Sequence, residues 1–317
     1  MAKIGIDVSK AKLDCLWIRQ LEPLKVKSKS LPNTPQGFKT LLEWAQKTTG
    51  ESLEELHFVM EATGVYHETA ASALHDAGAK ISVINPAQVK DYGRGLGVRT
   101  KTDKQDSFVL ARFALEHNPR LWEPDPKEIR ELKALINRLS VVEKDIRREE
   151  NRQEKAQFSH ASPTVLESIN NSLTYLNQEK ARLEKLIDDH IDRHPRLKND
   201  RKLLQSIPAV GPVVSRAMLT LLHGYRFSRA SAAGAFVGLA PVAYSSGSSV
   251  QRKPRISKAG NSKIRACLYM AAVVAKTYNP DVKALYNRLL ARGKSPMSAL
   301  CAAMRKLVHI CFGVLKH

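Results

Sequence analysis

Apolar and polar positions alternate in short runs over the first third of the chain. In Ala2–Val8, Ile4, Ile6 and Val8 fall on one face and Gly5 and Asp7 on the other, the period-two signature of a strand. Ser9–Lys12 is polar enough for a turn, and Leu13–Ile18 predicts a second, antiparallel strand. Thr34-Pro35 opens a helix with Phe38, Leu41, Leu42 and Ala45 on its inner face, because proline fits the first helical turn. Leu56–Met60 predicts a strand running into Glu61, residues 66–77 a helix stopped by Gly78, and Lys80–Asn85 a further strand. Thr102 caps a helix to about His117, ended by Asn118-Pro119. Strands and helices in this order predict an α/β domain with a mixed sheet.

From residue 124 to 195 the period changes. Ile129, Leu132, Ile136 and Leu139 are spaced three, four and three. After Pro163, Leu166, Ile169, Leu173, Leu176, Leu183 and Ile187 keep heptad spacing among Arg, Lys, Glu and Asn. Two long helices folded into an antiparallel coiled-coil hairpin are expected. Leu203–Gly211, then Pro212 and a helical Val213–Leu222, have the layout of a helix-hairpin-helix. Such an element offers backbone N–H groups at a helix start, here after Gly211, to a phosphate. An ordinary turn between two helices fits the same residues. A loop holding Ser245, Ser246, Ser248 and Ser249 and a basic run follow, then helices over Lys263–Thr277 and Ser295–Leu315. The expected division is 1–122, 123–196 and 197–317.

Charge sharpens this division. The 317 residues carry 51 Lys+Arg against 31 Asp+Glu, a net +20. Residues 1–200 are nearly balanced, with 32 bases and 30 acids, whereas 201–317 hold 19 bases and a single acid, Asp281. Solubility does not need that asymmetry; a polyanion does, and nucleic acid ranks ahead of an anionic membrane surface. With 43% hydrophobic residues, wholesale disorder is excluded. No run of eighteen apolar residues and no signal-like start are seen, so a cytoplasmic protein with no membrane partner is expected. Cys15, Cys267, Cys301 and Cys311 lack paired spacing and read as buried thiols in a reducing compartment.

Four acids in the first stretch acquire a mechanism together. Asp7 and Glu61 lie on strands, and Asp103 and Asp106 share one face of a helix. Carboxylates converging from these elements suit a pair of Mg2+ ions that clamp both oxygens of a phosphoryl displacement. The order strand-Asp, strand-Glu, helix-Asp-x-x-Asp is that of RNase H-like nucleases.

The motifs GIDVSK (Gly5–Lys10), MEATGVY (Met60–Tyr66) and KTDKQDS (Lys101–Ser107) resemble the RuvC-like domain of the DEDD transposases of the insertion-sequence one-ten family and its Piv-type invertase relatives. SIPAVGP (Ser206–Pro212), GLAPVAYSSGSS (Gly238–Ser249) and ISKAGNSKIR (Ile256–Arg265) are similar to that family's second, transposase-type domain, with Ala209 where the family commonly has glycine. The resemblance implies an RNase H-like mixed-sheet domain, a coiled-coil dimerisation hairpin and a mainly helical DNA-binding domain. It implies Asp7, Glu61, Asp103 and Asp106 as Mg2+ ligands and Ser246 as a nucleophile forming a phosphoserine link to DNA; the adjacent Ser245 is a rival. Arg252, Lys253, Arg255, Lys258, Lys263 and Arg265 follow closely and are candidate phosphate contacts. It further implies donor and target double-stranded DNA, a structured guide (bridge) RNA, and a homodimer assembling into a homotetramer around a site shared between subunits. The alternatives are site-specific inversion, and a junction-resolving endonuclease with water as nucleophile.

Overall fold

The computed structural model describes residues 1–62, 64–97, 102–246 and 250–316, with the backbone alone at 244–246 and 250–253. The chain divides into two compact units, Met1–Pro124 and Asp125–His317.

The first unit runs β1 (Lys3–Val8), β2 (Lys12–Gln20), β3 (Lys25–Pro32), α1 (Pro35–Thr49), β4 (His57–Glu61), α2 (Tyr66–Asp76), β5 (Lys80–Ile84), α3 (Pro86–Gly95) and α4 (Asp103–His117). Its sheet has the order β3-β2-β1-β4-β5. β2 is antiparallel to β1 and β3, and β4 is parallel to β1 and β5. This is the mixed sheet expected. Thr34 starts α1 by accepting the Gly37 N–H, and Gly50 ends it in the left-handed region at φ 76.

β1 is covered on both faces. Ile4, Ile6 and Val8 join Leu13 and Cys15 in a core with Phe38 and Leu41 of α1 and Ala71 and Leu74 of α2. On the other face, Leu16 and Ile18 meet Ala111 of α4, while Val59 and Ile84 meet Val109, Leu110 and Ala114. α4 lies so close to β1 that a Cβ on Gly5 would sit 2.1 Å from the Ser107 carbonyl and 2.4 Å from the Ala111 nitrogen. Glycine usually weakens a strand; here it admits a helix backbone. The far end of α4 is tied to the start of β1 by the Lys3 Nζ, which donates to the Ala114 carbonyl at 2.7 Å.

The second unit begins with two long helices, α5 (Lys127–Phe158) and α6 (Pro163–Arg193). Gln153 Nε2 donates to Asn170 Oδ1 at 2.6 Å near the turn, and His190 Nε2 lies 2.8 Å from the Glu128 carbonyl at the other end, so the two run antiparallel. Then come α7 (Pro195–Gln205), α8 (Pro212–Gly224), α9 (Ala230–Phe236), β6 (Pro241–Ser246), β7 (Val250–Ile256), α10 (Ser262–Tyr278), α11 (Pro280–Ala291) and α12 (Pro296–Lys316). At the base of the hairpin, Ile129, Leu132 and Leu139 of α5 and Leu183 and Ile187 of α6 share one core with Met218, Leu268, Ala303 and Leu307. Farther out, Leu166, Ile169, Leu173 and Leu176 are half-buried, as expected where two helices cover only each other. The base of the hairpin thus belongs to the same core as the basic region.

α12 is one helix long and apolar enough to cross a membrane by length and composition. No unbroken apolar run signals this, because its charges are few rather than absent. Its Ala299, Leu300, Ala303, Met304, Leu307, Val308 and Cys311 are buried in the second unit's core, the position of a core helix. Cys15 and Cys311 are buried, Cys267 and Cys301 half-buried, and all four are free. Burial pushes the Cys267 thiol up to about 11 and the Cys311 thiol up to about 12, so neither supplies a thiolate near neutrality.

Candidate functional site

Asp7 is the penultimate residue of β1, Glu61 the last of the adjacent β4, and Asp103 and Asp106 stand in the first turn of α4. Thr102 caps that turn, accepting the Gln105 N–H at 3.3 Å, and the helix macrodipole favours carboxylates there. The close approach at Gly5 aims this turn at the Asp7 end of β1. Carboxylate oxygens of Asp7, Asp14 and Asp103 lie within 4.8 Å of one another. Burial, then the charges of Asp106, Asp103, Asp14 and Glu61, push the Asp7 carboxyl up to about 6. Of the four acids expected from the sequence, Asp106, Asp103 and Glu61 thus act on Asp7, but only Asp7 and Asp103 join the close cluster, whose third member is Asp14.

Two further members were not expected. Asp14 pairs with Asp7 in the β1–β2 register, so both project from the same face. The signal was available: folding the Ser9–Lys12 turn back on itself sets Asp14 opposite Asp7. Lys12 places its Nζ 2.7 Å from Asp103 Oδ2 and 2.9 Å from Asp14 Oδ2, and these bonds push its own pKa up. The donors are all hard oxygens, burial and then their crowding raise Asp7, and an ammonium is already held between two of them. That set fits a hard divalent cation.

The serine region is not a plain loop. Ser246 ends β6 and pairs with Val250 of β7, so it stands at the tip of a two-stranded hairpin. The side chains of Ser245 and Ser246 lie outside the described residues, as do Gly247, Ser248 and Ser249. Arg252 pairs with Tyr244 and Arg255 with Val242 along the hairpin; the side chains of Arg252 and Lys253 also lie outside the described residues. Arg255, Lys258 and Lys263 are exposed. Arg265 is half-buried, and its Nη1 donates to the Val237 carbonyl at 2.9 Å and the Gly260 carbonyl at 3.0 Å. Gly211 is the N-cap of α8, Pro212 opens the helix, and a Cβ on Gly211 would meet nothing within 4 Å.

Residues 4–156 match a transposase family, the DEDD transposases of the IS110 type, and residues 201–287 match the transposase IS116/IS110/IS902 family. The pilin gene-inverting protein of Moraxella bovis is 30% identical over 315 residues, covering 99% of this chain and 95% of that protein. The insertion element IS110 uncharacterized 43.6 kDa protein of Streptomyces coelicolor is 28% identical over 153 residues, 48% of this chain and 36% of that one. Among solved structures, T. thermophilus RuvC in complex with a Holliday junction substrate has 16% identity and a TM-score of 0.28, covering 38% of this chain and 100% of that chain.

Proposed function

This chain belongs to the IS116/IS110/IS902 transposase family and is a transposase-type recombinase; on that premise we propose that it cuts and rejoins DNA through a phosphoserine intermediate in a Mg2+-dependent reaction. The Ser246 hydroxyl oxygen attacks the scissile phosphorus. A serine–phosphate bond forms as the bond to one deoxyribose oxygen breaks, and the net proton passes from the serine to that leaving oxygen. A hydroxyl of the partner strand then reverses the step, releasing Ser246 and sealing a new junction. One phosphoester is kept throughout, so no ATP is needed. Asp7, Glu61, Asp103 and Asp106 would hold Mg2+, with Asp14 beside them, and the cation would supply charge neutralisation to a DNA phosphate. Arg252, Lys253, Arg255, Lys258 and Lys263 line the DNA path, and Gly211 offers the α8 amides to a phosphate in a helix-hairpin-helix.

The close cluster of Asp7, Asp14 and Asp103, with the charges of Asp106 and Glu61 also acting on Asp7, supports this reading. So does the net charge of residues 201–317. The family also points to a guide RNA, to residues 123–196 as a coiled-coil dimerisation arm between domains 1–122 and 197–317, to a tetramer of subunits on two DNAs, and to action in the cytoplasm. A second outcome of the same chemistry is inversion, favoured by the pilin gene-inverting relative that matches almost end to end. A Ser246→Ala variant tests the chemistry: it should bind DNA and fail to cut it. Normal cutting by that variant would instead support water as nucleophile.

A further inference from the structure

Two turns cross at the root of the β6–β7 hairpin. α9 passes into β6 through Gly238 at φ 83, and β7 passes into α10 through Lys258 at φ 55 and Gly260 at φ 136. The turns are in backbone contact. Lys258 N–H donates to the Gly238 carbonyl at 3.1 Å and Ser257 N–H to the Ala240 carbonyl at 2.9 Å. A Cβ on Gly260 would lie 2.1 Å from the Phe236 carbonyl, and one on Gly238 would lie 2.7 Å from that of Ala259. Arg265, from the first turns of α10, joins both: the same Nη1 bonds Val237 on one side and Gly260 on the other.

We propose that Arg265 is a positioning residue for strand cleavage: it clamps the root of the hairpin whose tip carries Ser246, and it is not a phosphate contact. The proposal rests on the reading of Ser246 as nucleophile. β6 spans Pro241–Ser246, so the tip stands about 17 Å from the root at about 3.3 Å per residue. A tilt of about 5° at the root moves a tip at that reach by about 1.5 Å, and about 1 Å of misplacement is enough to slow a reaction by roughly 10²-fold. A sheet of two strands has little stiffness of its own, so rigidity must come from the root. A planar guanidinium holds two carbonyls in fixed directions; a lysine ammonium does not.

The test uses the full chain with Arg265→Gln, Arg265→Lys, Gly260→Ala and Ser246→Ala. Adduct formation at saturating DNA, DNA affinity across a salt series, and melting are measured for each. Arg265→Gln and Arg265→Lys should both slow adduct formation by roughly tenfold or more, with unchanged affinity and salt slope. Gly260→Ala should show the same loss with no change in charge; if it does not fold, the two Arg265 variants carry the test. Full activity of Arg265→Lys, with a salt slope shallower by about 0.9 in Arg265→Gln, would identify a phosphate contact and overturn the clamp. So would normal rates in both Arg265 variants while Ser246→Ala is dead. Normal cutting by Ser246→Ala would overturn the nucleophile itself, a separable failure.

Discussion

Gly5→Ala tests how the fold delivers the acidic site. Ordinary contact begins at 3.4 Å, so the added methyl requires α4 to retreat by about 1.3 Å from the Ser107 carbonyl and about 1.0 Å from the Ala111 nitrogen. Both are helix backbone and cannot rotate away, and the Lys3 bond to Ala114 holds the other end of α4. Overpacking of this kind costs about 1–3 kcal/mol, a melting drop of roughly 4–12 °C for a unit of this size. A shift near 1 Å of Asp103 and Asp106 against Asp7 should slow cleavage by roughly 10²-fold even below the melting range. Circular dichroism melts and single-turnover cleavage read the two effects. Gly93→Ala on α3 is the control, because its Cβ would meet Val109 methyls at 3.6 and 3.8 Å, an ordinary contact, and alanine favours a helix. Melting within about 1 °C of the parent and cleavage within about twofold for Gly5→Ala would refute this account of the α4–β1 contact.

The raised Asp7 carboxyl is favoured neutral by the fold, since its folded value of about 6 exceeds the ordinary 3.8. Its contribution to metal-free stability is therefore complete below 3.8 and is lost as pH rises through about 6. Asp7→Asn in chelator should flatten the pH dependence over that window and raise melting at neutral pH; lower melting there would count against the crowded-acid picture. Lys12→Met should tighten Mg2+ binding in calorimetry by roughly two- to fivefold, the worth of an exposed ion pair, while lowering metal-free melting. Unchanged affinity would mean the ammonium does not compete for Asp14 and Asp103. Ala209→Gly should stabilise by about 0.5–1 kcal/mol, because Ala209 sits at φ 75 in the α7–α8 turn; a clear loss in denaturant melts would contradict that.

The sequence shows most clearly those elements whose periodicity the fold uses. β1, β4, α1 and α4 display it, and the capping Thr34 and Thr102 mark both helix starts. β3 stayed hidden because its lysines and serines erase apolar alternation; lysine on an edge strand discourages pairing with other chains. α3 begins directly at Pro86, where the reading ended with the strand. Asp14 and Lys12 join the acidic cluster through cross-strand register, which lies in pairing rather than in either segment alone. Backbone pairing likewise turns the serine-rich stretch into a hairpin, although its composition reads as a linker. Arg265 looked like one more base in a basic run, and only its bonds to Val237 and Gly260 distinguish it.

The most direct measurement is to trap the reaction. The protein is incubated with Mg2+, DNA spanning an element junction and any co-purifying RNA, then denatured and digested for peptide mapping. The expected result is DNA covalently linked to the peptide bearing Ser246, and no adduct after Asp7→Asn. Strand exchange proceeding without any adduct, or an adduct mapped to Ser245 or another residue, would contradict it.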